Sequence, residues 1–165
     1  MRKVLSFFTV LFVLTMAANA QDESRQRAGI HAGYGFNSFF VEGSYQYDIS
    51  DKHRLEGNTG AAYFYDIHTI NPTDGKIRDK WTYSLGGSFQ WNGPITEGAY
   101  WYIGPAAMLY INNEVNLSVG LQMGAECRLG IPIRLGIDFR PMISLEELGG
   151  NYFDCPVFLS IRWCF

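Results

Sequence analysis

The chain has 165 residues, one domain by length, and 47% are hydrophobic against 18% charged, a balance that excludes general disorder. Without Arg2 and Lys3, 11 of its 13 basic residues remain against 16 acidic ones, so the part after residue 20 carries 11 − 16 = −5. That sign argues against nucleic acid as a partner.

The first twenty residues read as a secretory signal. Arg2 and Lys3 form a basic start, Val4 to Met16 is an apolar run, and Ala18-Asn19-Ala20 is a small-x-small cleavage site. The run falls short of the roughly 20 residues a transmembrane helix needs, and polar residues from Gln21 to Arg25 follow it. Expected boundaries are therefore 1–20 for the signal peptide and 21–165 for the mature domain.

No later segment holds 18 uninterrupted apolar residues, so any membrane span must be made of strands. From Ala28 onward, apolar and small or polar residues alternate in eight blocks: 28–37, 39–49, 55–66, 81–91, 99–111, 116–129, 133–139 and 157–165. Between Trp81 and Trp91 the odd positions are large and apolar, Gly87 apart, while the even ones are Thr82, Ser84, Gly86, Ser88 and Gln90. A period of two puts the two sets on opposite faces. Pro105 interrupts the fifth block and predicts a bulge or a locally broken pairing. Residues 50–54, 92–98 and 130–132 read as tight turns, whereas 67–80 and 146–154 read as longer loops. The predicted fold is all-β, an eight-stranded antiparallel up-and-down transmembrane barrel, with both termini on the short-turn, periplasmic side.

Three features favour a membrane barrel over a soluble ligand-binding one. The polar face is mostly Gly, Ser, Thr, Asn and Gln, too sparse in charge for a soluble exterior. The apolar face is graded, with Tyr45, Tyr47, Phe89, Trp91, Trp101, Trp163 and Phe165 at the turn end. Phe36, Phe39, Tyr63, Tyr65, Trp81 and Tyr83 gather at the loop end, and smaller residues such as Ala61, Leu85, Ala107 and Ile137 lie between. Two aromatic belts around an aliphatic band suit the two surfaces of a bilayer. Finally, the alternating segment from Val157 ends in Trp163-Cys164-Phe165.

With its signal peptide, eight alternating strands and aromatic end, the sequence from Ala28 to Phe165 resembles the small outer-membrane β-barrel proteins of the OmpA and OmpX type. The resemblance implies outer-membrane lipid and the barrel-assembly machinery as partners, with Phe165 and Trp163 as the assembly signal. It specifies a fold and a location but no task.

Strand parity points Glu42, Asp48, Glu56, Asp66, Glu126, Arg128, Arg134, Asp138, Arg140 and Arg162 into the lumen. Adjacent strands lie about 4.8 Å apart, so Glu42, Glu56, Glu126, Arg128, Arg134, Asp138, Arg140 and Arg162 are expected to interleave as an ion-pair network plugging a narrow barrel. A structural or general envelope role is expected. The alternatives are a narrow porin-like channel, a surface-interaction protein with an unknown partner, and an outer-membrane lipid-modifying enzyme. Catalysis would need a histidine beside a serine nucleophile or a carboxylate. His31 faces the lumen between glycines, His53 and His68 lie in connections, and none has a serine two residues on, so no catalytic residue is assigned. No metal or cofactor spacing is present, and Cys127, Cys155 and Cys164 are expected to be free thiols.

Overall fold

The computed structural model describes residues 25–36, 38–64, 80–112, 115–145 and 153–165. The expected signal peptide lies outside them, as do Tyr65, Asp66, His68 and most of the two longer loops, whose expected end residues Lys80, Phe153 and Asp154 are strand residues instead.

The alternating blocks form β1 (Gln26–Tyr34), β2 (Ser38–Ser50), β3 (His53–Phe64), β4 (Lys80–Thr96), β5 (Ala99–Ile111), β6 (Val115–Arg128), β7 (Ile133–Phe139), β8 (Met142–Ser144), β9 (Phe153–Asp154) and β10 (Val157–Cys164). The short β8 continues β7, and the short β9 leads into β10, so the segments make eight staves. Each stave pairs antiparallel with its chain neighbour, and β10 pairs with β1 to close the barrel.

Extending the ladders from Asp48 on β2, the ring passes Arg54, Gln90, Gly104, Gln122, Arg140, Pro156 and Gly35, and returns to β2 at Ser38. The ring therefore climbs 48 − 38 = 10 residues per circuit. Such a stagger tilts the strands by roughly 35–45° and leaves a bore that side chains can fill.

Among the described residues, Pro94, Pro105, Pro141 and Pro156 sit where a missing N–H is tolerated. At Pro105 the β4–β5 ladder lapses between Ser88↔Ala106 and Trp91↔Ile103 with no change of register, which is the locally broken pairing expected there. Pro94 was expected in a turn, but β4 runs on to Thr96 and the turn is only Glu97-Gly98. β3 ends opposite Trp91, so Pro94 overhangs with β5 as its ladder partner and owes no hydrogen bond on the other side. Pro141 and Pro156 mark the breaks between β7 and β8 and between β9 and β10. Gly98 (φ +85°) and Gly130 (φ +74°) hold the left-handed positions of two tight turns.

Parity divides the wall as alternation predicts. Ile30, Val41, Leu85, Leu121, Ile137 and Leu159 are exposed on the outer face, below a loop-end ring that includes Tyr34, Phe39 and Trp81. The interior is stratified, which the expected polar lumen did not anticipate. Polar and charged groups fill the centre and the turn end, whereas Phe40, Ala62 and Phe158 pack with Phe64 and Tyr110 toward the loops. Ala106, Met108 and Met142 extend this apolar layer.

Candidate functional site

The densest chemistry lies inside the barrel. β3, β6, β7 and β10 aim Glu56, Glu126, Asp138 and Arg162 at one another, each at most 3% exposed. The guanidinium of Arg162 lies 3.3 Å from Glu56, 3.5 Å from Glu126 and 3.5 Å from Asp138. Glu126 also accepts from Arg54 at 2.9 Å and from Arg134 at 2.6 Å. Arg54 and Arg27 both reach Asp48, extending the network to the turn end.

Neutral donors complete the carboxylates' coordination. Glu56 accepts from Gln90 at 2.6 Å and Gln122 at 3.0 Å, and Asp138 accepts from Tyr102 and Gln122. Toward the loops, Arg140 donates to Glu42 at 2.6 Å and lies 4.0 Å above the centre of the Phe158 ring. His31 joins the two regions, with Nδ1 2.6 Å from Arg140 and Nε2 3.3 Å from Glu56. A guanidinium can only donate, so Nδ1 accepts and the ring proton sits on Nε2, facing the carboxylate.

These ion pairs join five arginines, Arg27, Arg54, Arg134, Arg140 and Arg162, to five carboxylates, Glu42, Asp48, Glu56, Glu126 and Asp138. Five charges of each sign are thereby balanced along the lumen. The cations are all arginine, whose planar fork serves several acceptors at once and is more weakly hydrated than an ammonium.

The sequence-derived set maps onto this centre with one exception. Glu42, Glu56, Glu126, Asp138, Arg140 and Arg162 are buried, and Arg134 stands at the turn-end mouth with 13% of its side chain exposed. Arg128 is exposed instead of lumenal, because β6 ends with it and the inward direction there opens past the rim into solvent. Arg27, Arg54, Tyr102, Gln90 and Gln122 were missed. Arg27 and Arg54 precede the assigned strand starts by one residue, and extending the alternation one step would have found both.

Trp163 pairs with Ala28 and Ile133 at the turn end. The Phe165 N–H donates to the Gln26 carbonyl at 3.2 Å, and its ring meets Tyr45. Cys127, Cys155 and Cys164 are unpaired, and the described residues hold no group of three metal ligands. His31 is fully buried, with its ring nitrogens facing Arg140 and Glu56, and Ser38 donates to Asp154. Ser50 Oγ lies 2.9 Å from His53 Nδ1, but it also accepts the Lys52 N–H at 3.4 Å, and His53 stacks on Phe89. That contact spans a tight turn and belongs to its chemistry.

A closed eight-stranded antiparallel barrel, apolar outside and charge-paired within, has the fold of the small transmembrane β-barrels. Solved structures agree at the level of fold. The chain is similar to the Neisserial surface protein A, with 13% identity, a TM-score of 0.59, and coverage of 85% of this chain and 96% of that one. It is similar to the N-terminal barrel domain of Pseudomonas aeruginosa OprF, with 13% identity, a TM-score of 0.60 and the same shares. A de novo designed transmembrane β-barrel matches at 15% identity and a TM-score of 0.56, covering 88% of this chain and 98% of that one. No protein-family model and no curated protein matches the sequence. The architecture implied by the resemblance to OmpA- and OmpX-type proteins is therefore the one observed.

Proposed function

We propose that this chain is an integral protein of the bacterial outer membrane, with a lumen closed by its own side chains and a structural role in the envelope. The observation that carries this reading is the opposition of the two faces. Isoleucine, leucine, valine and aromatic side chains cover the outside, and the balanced ion-pair network fills the inside. An outer face of that kind needs lipid around it. The apolar layer of Phe40, Phe158 and Met142 packs inside the barrel above the network, which supports a barrier over a porin-like channel. His31, engaged by Arg140 and Glu56 and removed from solvent, supports a packing role over lipid-modifying catalysis.

On this reading the first twenty residues direct export and are removed, and both termini lie in the periplasm. Outer-membrane lipid surrounds the barrel, and Trp163 and Phe165 present its aromatic end to the assembly machinery. Expression of the precursor, isolation of outer membranes and comparison of boiled and unboiled samples by gel mobility test this reading. A heat-modifiable band in that fraction with no steady conductance in planar bilayers is expected. A soluble band whose mobility is unchanged by boiling would overturn membrane insertion, and steady conductance would overturn the closed lumen.

A further inference from the structure

The last and first staves are joined by backbone pairs from Arg27↔Cys164 up to Tyr34↔Val157. Beyond Tyr34 towards the loops, among the described residues, no backbone pair links β9 to β1 or β2. Asp154 makes the connection instead. Its carboxylate accepts from Ser38 Oγ at 2.6 Å and from the Phe36 N–H at 3.2 Å, and also from the Cys155 N–H at 2.9 Å on its own strand.

The surroundings are shaped for that carboxylate. A Cβ on Gly35 would lie 2.6–2.7 Å from the two Asp154 oxygens and 2.3 Å from Ser38 Oγ, so only glycine leaves room for the contact. Asp154 is 6% exposed, on the inward parity of a stave whose next inward residue, Pro156, has no N–H to offer. Arg140 donates its N–H to the Pro156 carbonyl at 3.0 Å, and proline cannot return the second bond of that pair. Below this level lies the apolar layer of Phe40, Ala62 and Phe158.

We propose that Asp154 is a side-chain latch across an openable seam in the barrel wall, with Gly35, Phe36 and Ser38 as its keeper. Below this point the β1–β10 ladder runs through eight residue pairs, from Arg27↔Cys164 to Tyr34↔Val157, which separate only by losing many hydrogen bonds together. Above it, β9 keeps its two backbone pairs with β8, and on the β1–β2 side the described contacts are the two that the Asp154 carboxylate makes with Ser38 and Phe36. Releasing them lets β9 and the β1–β2 tip part and admits solvent to the interior beneath. The inference rests on the closed-lumen reading and adds the place where that closure yields.

The test uses Ala62→Cys, a near-isosteric probe at a fully buried position of the apolar layer, in full-length protein whose native cysteines are replaced by serine. Labelling by a charged thiol reagent is followed in refolded, heat-modifiable barrels in phosphatidylcholine vesicles. With Asp154 intact, labelling should be slow. Asp154→Ala should speed it at least tenfold, and Gly35→Ala should do the same with the carboxylate still present. A Ser38→Cys/Asp154→Cys pair, oxidised before the probe is unmasked, should return it to the slow rate. Equal rates in the latched and Asp154→Ala barrels would overturn the latch. Fast labelling of the latched barrel would overturn the closed-lumen reading, and planar-bilayer conductance of the same samples separates that failure from failure of the latch.

Discussion

Replacing Arg162 by leucine removes the guanidinium at the centre of the interior and leaves the barrel wall intact. The losses are unequal. Glu126 keeps Arg54 and Arg134, and Glu56 keeps Gln90, Gln122 and the Nε2 side of His31. Asp138 keeps only the neutral donors Tyr102 and Gln122 among the contacts described above. Five carboxylates then face four arginines, and Asp138 is fully buried. Stranding one buried charge costs about 3–5 kcal/mol. The unfolding equilibrium should therefore shift on the order of a hundred- to a few-thousand-fold. The assay is urea unfolding of the refolded barrel in lipid vesicles, read by tryptophan fluorescence and by loss of the fast-migrating gel band. The variant should still insert but unfold at lower urea and lower temperature. A matched Arg134→Leu variant should lose no more than about 1 kcal/mol, since Arg134 lies at the mouth and Glu126 retains two arginines. If Arg162→Leu unfolded within about 1 kcal/mol of the parent, the claim that these ion pairs stabilise the interior would be refuted.

Glycine substitutions should separate tight from open positions on the wall. A Cβ at Gly104 would fall 1.8 Å from the Phe89 carbonyl oxygen, so Gly104→Ala should fail to refold or lose several kcal/mol, on the order of a core overpacking change. At Gly57 a Cβ meets nothing within 4 Å, so Gly57→Ala should stay within about 0.5 kcal/mol of the parent in the same urea titration. Tyr102→Phe deletes a donor to buried Asp138 and should cost about 1–3 kcal/mol; a smaller loss on denaturation would show that Gln122 alone satisfies that oxygen. Pro94→Val should leave stability within about 0.5 kcal/mol, because the residue overhangs β3, and a gain above 1 kcal/mol would show that its missing N–H matters.

The fold was legible because a period of two recurs along the staves, with local exceptions, and a barrel repeats that signal eight times. Turn limits were harder to read. Pro94 looks like turn chemistry, and only knowing that β4 outruns β3 shows why a proline can sit in a strand there. The interior was partly legible. Parity aimed Glu42, Glu56, Glu126, Asp138, Arg140 and Arg162 inward, but it cannot say how far along the axis a side chain lies. Arg128 was consequently assigned to the lumen although it stands at the rim, and Arg54 was left in a turn although it reaches Glu126. Which carboxylate meets which guanidinium depends on the stagger of the closed ring. That stagger is a property of all the ladders together, and no single strand encodes it. The same limit hid the apolar layer: Phe40, Met108 and Phe158 each look like isolated exceptions on a polar face until the ring sets them at one height.

Arg162 also bears on how such a chain reaches its final state. It belongs to the last stave, yet one of its carboxylate partners, Glu56, lies 106 residues earlier on β3. A sheet with seven staves assembled would hold Glu56 and Asp138 facing inward with this cation still missing. Closing the barrel would bury those carboxylates, and β10, docking against both β7 and β1, brings the cation that balances them as it does so. Long-range closure of this kind slows folding.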